Sequence, residues 1–108
     1  IDWQLIDRSV GPRDLAYFVT QGIAVDDPAG HARLLDLYLD ELAAHGVRVD
    51  RDWAWEMYRY ATAMTFVYPV IAAGALTVND DRHLELCRVM VRRWKAAMDA
   101  LDAYDLPL

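Results

Sequence analysis

Helix-start signals, each followed by apolar residues at helical spacing, divide most of this chain into segments. Asp26-Asp27-Pro28 combines capping carboxylates with a proline, which favours the first turn of a helix. Asp50 or Asp52 can cap a further segment, and the polar run 79–81 precedes the last one. Because these signals recur along the chain, the sequence predicts a mainly α fold of about four helices.

The segment after Pro28 carries one apolar face and is predicted to end at Gly46, a residue type common at helix ends. His31 and His45 lie near the two ends of this helix. Neither has a second ligand at metal-binding spacing, so we interpret both as surface or capping residues. The apolar face consists of His31, Leu34, Leu35, Tyr38 and Leu42.

The next segment is apolar on nearly every side, which is typical of a central, buried helix. One stripe contains Trp53, Met57, Tyr60, Ala61, Met64 and Tyr68, and other sides carry Trp55, Tyr58 and Phe66. Pro69 is expected to kink or end this helix, because proline removes a backbone hydrogen bond. Its Trp and Tyr side chains could also wall a ligand pocket, although core packing is the more common role.

The last segment repeats apolar residues at near-heptad spacing, which predicts a helix with one apolar seam. Arginines off that seam form a solvated face or, alternatively, a contact with an acidic partner. We interpret Cys87 as a small core residue and His83 as a surface residue of the first turn. The seam consists of Leu84, Cys87, Val91, Trp94, Met98 and Leu101.

Charge and cysteine content exclude several classes of function. The net charge of −6 over 108 residues argues against a nucleic-acid surface and against an anionic membrane. The uncharged run Tyr60–Asn79 approaches the length of a membrane span, but Pro69 and Gly74 interrupt it, so a buried helix is favoured. A single cysteine permits no internal disulfide and favours a cytoplasmic location.

The first eighteen residues contain the two acidic positions to which a chemical role can be assigned. Ile1–Leu5 reads as the end of a strand that carries Asp2. Asp14 follows Gly11-Pro12 and is predicted to be the N-cap of a helix that runs to about Thr20 and ends near Gly22.

This segment resembles the aminoglycoside phosphotransferase and choline kinase superfamily, and most closely its ecdysteroid-kinase-like branch. The resemblance rests on Ile-Asp-Trp-Gln at residues 1–4 and Asp-Leu-Ala-Tyr-Phe at residues 14–18, joined by a loop with Gly-Pro. It implies that Asp2 is the counterpart of the metal-binding aspartate of protein kinases, which holds Mg²⁺ on the phosphates of ATP. It also implies that Asp14 braces the backbone of the catalytic loop.

In that family the nucleotide lobe and the His-Gly-Asp-x-x-x-x-Asn catalytic loop precede this segment, and neither occurs in residues 1–108. Because the chain begins with Ile1 rather than methionine, we expect it to be the C-terminal helical part of a larger kinase-like domain. The missing N-terminal part of the same protein would be its first partner. No catalytic residue is assigned in the fragment, so the fragment alone is expected to be inactive.

Two functions follow as hypotheses. The first is a small-molecule phosphotransferase that moves the ATP γ-phosphoryl group to a substrate hydroxyl. In the family the C-terminal helices wall the acceptor site, so the resemblance makes Trp53, Trp55 and Tyr58 candidate pocket residues for an alcohol. The second hypothesis is a non-catalytic helical module that binds a partner or forms a homodimer.

Overall fold

The computed structural model describes residues 8–23, 25–75 and 81–106. Within these ranges the chain is helical and contains no strand, so the mainly α prediction is confirmed. The predicted strand end Ile1–Leu5 lies outside the described residues. The elements in chain order are α1 (Pro12–Tyr17), a π-helical segment π1 (Phe18–Gly22), α2 (Pro28–Ala44), α3 (Arg51–Met64), α4 (Val67–Ala75) and α5 (Asp81–Leu101).

Two of the predicted helix starts are confirmed in atomic detail. The Asp27 carboxylate accepts a hydrogen bond of 2.7 Å from the Gly30 N–H, and Pro28 occupies the first helical position of α2. The Asp50 carboxylate accepts a bond of 2.8 Å from the Trp53 N–H and caps α3. Each carboxylate satisfies a backbone donor that the helix itself leaves unpaired.

The prediction that Asp14 caps the first helix is wrong. The helix starts earlier, at Pro12, with Gly11 as a cap that makes no side-chain hydrogen bond. Proline suits the first helical position because its missing N–H is not needed there. Asp14 therefore lies inside the first turn, where its negative charge is favourable next to the positive end of the helix dipole.

Both α2 and α5 end with a residue in the left-handed backbone region. Gly46, with φ of +83°, follows α2 as predicted, and the N–H of Val47 returns to the carbonyl of Leu42 at 2.9 Å. Asp102, with φ of +46°, follows α5, and the N–H of Ala103 returns to the carbonyl of Met98 at 3.1 Å. This pattern closes the last turn by pairing carbonyls that have no partner within the helix.

The predicted helix that contains Trp53 and Tyr58 ends before Pro69, the position that the sequence indicated. It stops at Met64, and a turn at residues 65–66 separates it from α4. The turn precedes Pro69, which has no N–H to continue an α-helical ladder from α3 into α4. One predicted helix is therefore two, and Tyr68 belongs to α4.

The core lies where α1, α3 and the C-terminal half of α5 meet. Alanines on each helix let the backbones approach closely around Tyr58, whose side chain is fully buried. The buried cluster consists of Ala16, Tyr58, Ala61, Met98, Leu101 and Ala103, and it is flanked by Leu15, Trp55, Ala63, Trp94 and Leu106. This cluster holds together the elements that surround the candidate site.

The N-terminal half of α5 packs only partly against α4. The side chain of His83 is half-buried rather than on the surface as predicted, because its Nε2–H can donate to the Ala72 carbonyl of α4 at 3.1 Å. Cys87 is half-buried beside it. Other apolar residues here remain exposed, among them Val70, Ile71, Leu84, Leu86 and Val91. Among the described residues, no helix has the length and apolar character that crossing a bilayer requires.

Candidate functional site

An apolar groove of about 380 Å³ opens between α1, α3 and the start of α4. We call it the aromatic groove. Three of its lining residues are tyrosines, and most of the rest are aliphatic or methionine. The described lining residues are Ser9, Val10, Arg13, Tyr17, Met57, Tyr60, Ala61, Met64, Thr65, Val67 and Tyr68. Its size falls within the usual range of small-molecule pockets.

The break between α3 and α4 gives the groove its end wall. The turn at residues 65–66 directs α4 so that Tyr68 meets Tyr17 of α1, with ring centroids 4.5 Å apart and planes inclined at 59°. Tilted ring pairs of this kind are favourable because the edge of one ring approaches the face of the other. Two phenol rings therefore close one end of the groove.

Buried hydroxyl groups fix the groove at Thr65. The Thr65 hydroxyl donates to the Thr62 carbonyl at 2.7 Å, and it lies 3.3 Å from the Thr20 hydroxyl of π1. The Thr20 hydroxyl donates to the Ala16 carbonyl at 2.8 Å, while the Trp94 indole N–H reaches the Thr62 carbonyl at 3.1 Å. These bonds hold the turn against π1 and α5, so the groove wall is anchored from two sides.

The polar groups of the aromatic groove suit a neutral or anionic ligand. Arg13 is the one charged residue among the described lining residues, which include no carboxylate. Tyrosine and threonine hydroxyls supply hydrogen-bond donors and acceptors at the apolar wall. The arrangement can bind a largely apolar molecule and orient a polar group on it.

The chain matches no protein-family model, no curated protein and no solved structure. The resemblance to the phosphotransferase superfamily, drawn from residues 1–4 and 14–18, therefore stays a prediction.

Of the two acidic residues with predicted roles, only Asp14 lies in the described part of the chain. Asp14 is exposed on α1, and its charge acts on the Tyr38 phenol of α2. Burial first and then this negative charge raise the pKa of Tyr38. Asp2, the predicted metal ligand, lies outside the described residues. Within them no three His, Cys, Asp or Glu side chains are grouped as a metal site.

The three candidate pocket residues occupy different environments, and none lines the aromatic groove. Trp53 is exposed, whereas Trp55 is half-buried and stacks on Tyr58 with ring centroids 6.0 Å apart. Tyr58 is fully buried, and burial raises its pKa strongly. The pocket role of these three residues thus stays a prediction, and the groove is formed by the neighbouring side of the same helix.

The residues that line the groove did carry a signal in the sequence. Met57, Tyr60, Ala61, Met64 and Tyr68 belong to one stripe at helical spacing, which sequence reasoning assigned to the core. They line a groove because the helix breaks after Met64 and the neighbouring α1 and α4 leave space beside the stripe, although Ala61 also belongs to the buried cluster. The break could have been inferred from Pro69, but the space beside the stripe is a property of the tertiary structure.

The prediction that His31 is a surface or capping residue is wrong, because its side chain is fully buried. Its Nε2 lies 3.2 Å from the Val25 carbonyl oxygen, which can only accept, so Nε2 carries the proton. Its Nδ1 then accepts from the Tyr58 hydroxyl at 2.7 Å. Burial lowers the pKa of His31, with the Val25 carbonyl and the Asp27 charge acting in the opposite direction.

Proposed function

We propose that this chain is part of an ATP-dependent small-molecule phosphotransferase and that the aromatic groove takes the acceptor alcohol. The observation that carries the proposal is the groove itself, a pocket of ligand size with tyrosine walls. The first of its described lining residues is Ser9, seven residues after Asp2 in the sequence. The predicted metal-binding motif and the first wall of the groove therefore belong to one short stretch of chain.

The acceptor proposed is a largely apolar alcohol that is neutral or carries one negative charge. The lining offers aromatic faces for an apolar body and hydroxyl groups for orientation. The absence of a carboxylate among the described lining residues disfavours choline-like and aminoglycoside-like cations. A cytoplasmic, reducing compartment is part of the proposal, and the single cysteine supports it.

The residue roles follow the family resemblance. Asp2 would hold Mg²⁺, which neutralises charge on the ATP phosphates when bound. Asp14 would brace the catalytic loop, and Trp53, Trp55 and Tyr58 stay as family-based pocket candidates. Of these, Tyr58 would act through packing, because it is fully buried in the core cluster that also contains Ala61 of the groove lining. Catalysis would then rest on alignment of the acceptor hydroxyl with the phosphoryl group.

The first test replaces Asp2 in a polypeptide that includes the upstream sequence. Asp2→Ala is expected to abolish Mg²⁺-dependent release of ADP in the presence of an alcohol panel, while circular dichroism stays that of the parent. Turnover that survives the substitution would remove the metal role of Asp2. An upstream sequence without His-Gly-Asp-x-x-x-x-Asn would overturn the phosphotransferase proposal itself.

The second test concerns the groove alone. Met64 is 69% exposed at the groove wall, so Met64→Trp should obstruct the groove without disturbing the core. We expect KM for an apolar alcohol to rise about tenfold or more while KM for ATP is unchanged. Leu86→Trp, on the exposed side of α5, is the matched control and should change neither constant. Equal KM values for the two variants would place the acceptor elsewhere.

A specific observation also favours the second hypothesis, a helical interaction module. The helix α4 is uncharged and apolar on all sides, yet Val70 and Ile71 are each about half exposed, at 53% and 54%. Helices that are apolar all round are normally covered. An interaction surface on the α4–α5 side is compatible with phosphotransfer and independent of it.

A further inference from the structure

A second groove lies on the opposite side of α4, where α4 meets the N-terminal half of α5. We call it the basic groove. It has a volume of about 450 Å³ and is shallow, with an apolar floor and arginines at its rim. Its lining consists of Pro69, Ala73, Leu84, Cys87, Arg88, Val91 and Arg92. The phosphotransferase proposal uses none of these residues.

The rim of the basic groove is positive in a chain that is negative overall. Arg88 and Arg92 are 68% and 67% exposed, and both reach Glu85, at 3.7 Å and 2.6 Å. Among the described residues, the Glu85 carboxylate is thus shared by the two arginines, and Asp26 lines a neighbouring depression with Arg92. Exposed ion pairs of this kind contribute little to stability, so the arginines can exchange Glu85 for another carboxylate.

The complement of this groove lies on α2 of the same chain. Leu37, Asp40, Glu41 and Ala44 recur at helical spacing, and all four are exposed. Leu37 is 65% exposed and projects as a single large apolar residue beside two carboxylates. We call these four residues the acidic strip. Both carboxylates lie on the C-terminal side of Leu37, and exposed Arg33 lies one turn before it. A leucine followed by two acids is the chemical complement of an apolar floor beside two arginines.

We propose that a second copy of this chain docks its acidic strip into the basic groove. Pairing two basic grooves directly is disfavoured, because an isologous contact would bring arginines against arginines. Two chains of net charge −6 also repel, so close contact is favoured only where opposite charges meet. Two strip-to-groove contacts related by a two-fold axis would close a dimer. This inference specifies the interaction-module function and needs no phosphotransfer.

Reciprocal charge reversal tests the proposal directly. Sedimentation velocity of the unaltered protein, from about 1 μM to about 1 mM, should show a dimer that forms with concentration. The groove variant, Arg88→Glu with Arg92→Glu, should dimerise about tenfold or more weakly, and so should the strip variant, Asp40→Arg with Glu41→Arg. Mixed in equal amounts, the two variants should form a heterodimer, because each contact then joins opposite charges again.

A control variant separates this contact from a general charge effect. Arg8→Glu shifts the net charge in the same direction as the groove variant, at an exposed position outside both surfaces. It should dimerise within about threefold of the unaltered protein. A protein that is monomeric at every concentration would overturn the proposal, as would a dimer that both reversed variants retain or a mixture that fails to associate. None of these outcomes bears on ADP release, so the phosphotransferase proposal stands or falls separately.

Discussion

The two halves of α5 carry the same apolar seam, but the seam is buried in the C-terminal half and largely exposed in the N-terminal half. Met98 and Leu101, in the C-terminal half, are only 3% and 4% exposed, because α1 and α3 pack against them. Leu84 and Val91, in the N-terminal half, are 47% and 41% exposed and line the basic groove with Pro69 and Ala73 of α4. Periodicity in a sequence thus reports which face of a helix is apolar. Whether another element covers that face depends on the whole fold.

Different hydrogen bonds join the two ends of α5 to the neighbouring helices. At the buried end, the Arg59 guanidinium of α3 donates to the carbonyls of Leu101 and Asp102, which ties the last turn of α5 to α3. At the exposed end, the contact of His83 with the Ala72 carbonyl joins α5 to α4. We infer that the core side supplies most of the free energy of unfolding, because the apolar residues of the α4–α5 side are largely exposed.

The largest expected effect comes from equal truncations in the two halves of α5. Leu101→Ala should lower the free energy of unfolding by about 2–5 kcal/mol, because it leaves a cavity in the core cluster. Leu86, at 53% exposure, is the matched residue, and Leu86→Ala should change the same quantity by less than about 0.5 kcal/mol. Urea denaturation measures both. Similar losses for the two variants would contradict the division of α5.

Local signals explain what the sequence could predict about the fold. The caps at Asp27 and Asp50 and the helix end at Gly46 involve residues within a turn of one another, so their meaning is independent of tertiary contacts. The prediction for Asp14 fails because Pro12 starts the helix two residues earlier. No local sequence signal indicates the π-helical segment at residues 18–22. One of its contacts is long-range, because the Thr20 hydroxyl lies against the hydroxyl of Thr65, 45 positions away.

The candidate site is less predictable for the same reason. The stripe that contains Met57, Tyr60 and Met64 is visible in the sequence, but its exposure arises from the turn at residues 65–66. The burial of His31 is not visible there, because its partner Tyr58 is 27 positions away and no spacing rule connects them. Long-range contacts therefore account for both the groove and the buried pair, which sequence patterns do not predict.

A smaller effect should follow from removal of one buried hydroxyl group. Tyr58→Phe preserves the ring but leaves Nδ1 of His31 without its donor, so the free energy of unfolding should fall by about 1–3 kcal/mol. Tyr104→Phe is the matched control, because the Tyr104 hydroxyl also donates at 2.8 Å, but to the exposed Asp99. That variant should lose less than about 0.5 kcal/mol. Equal losses would show that the His31–Tyr58 bond contributes nothing particular to the core.

The same buried pair predicts a dependence of stability on pH. His31 has a lowered pKa in the folded state, so the unfolded chain binds a proton more readily as the solution becomes acidic. Stability should be constant above the ordinary histidine pKa of about 6.5 and should decline as the pH falls below it, by at most about 1.4 kcal/mol per pH unit. Below the folded-state pKa this contribution levels off.

Denaturation curves between about pH 8 and about pH 5 measure this decline, because histidine side chains change their charge within that range. His31→Gln has no titrating ring and should show a flatter profile over the same range. His45 serves as the control, because it is exposed at the end of α2 and His45→Gln should preserve the decline. A decline that persists in the His31 variant would assign the titration to other groups.

The smallest expected change in stability tests the exposed side itself. Ile71 is 54% exposed on α4 and does not line the basic groove. Isoleucine and serine have similar helix propensities, so Ile71→Ser should alter the free energy of unfolding by less than about 0.5 kcal/mol. Binding of a fluorescent apolar dye to the folded protein should decrease, because the apolar patch becomes smaller. A loss above about 2 kcal/mol would mean that Ile71 is packed as a core residue. In that case α4 would belong to the packed core, and the surface proposed for partners would be confined to the N-terminal half of α5.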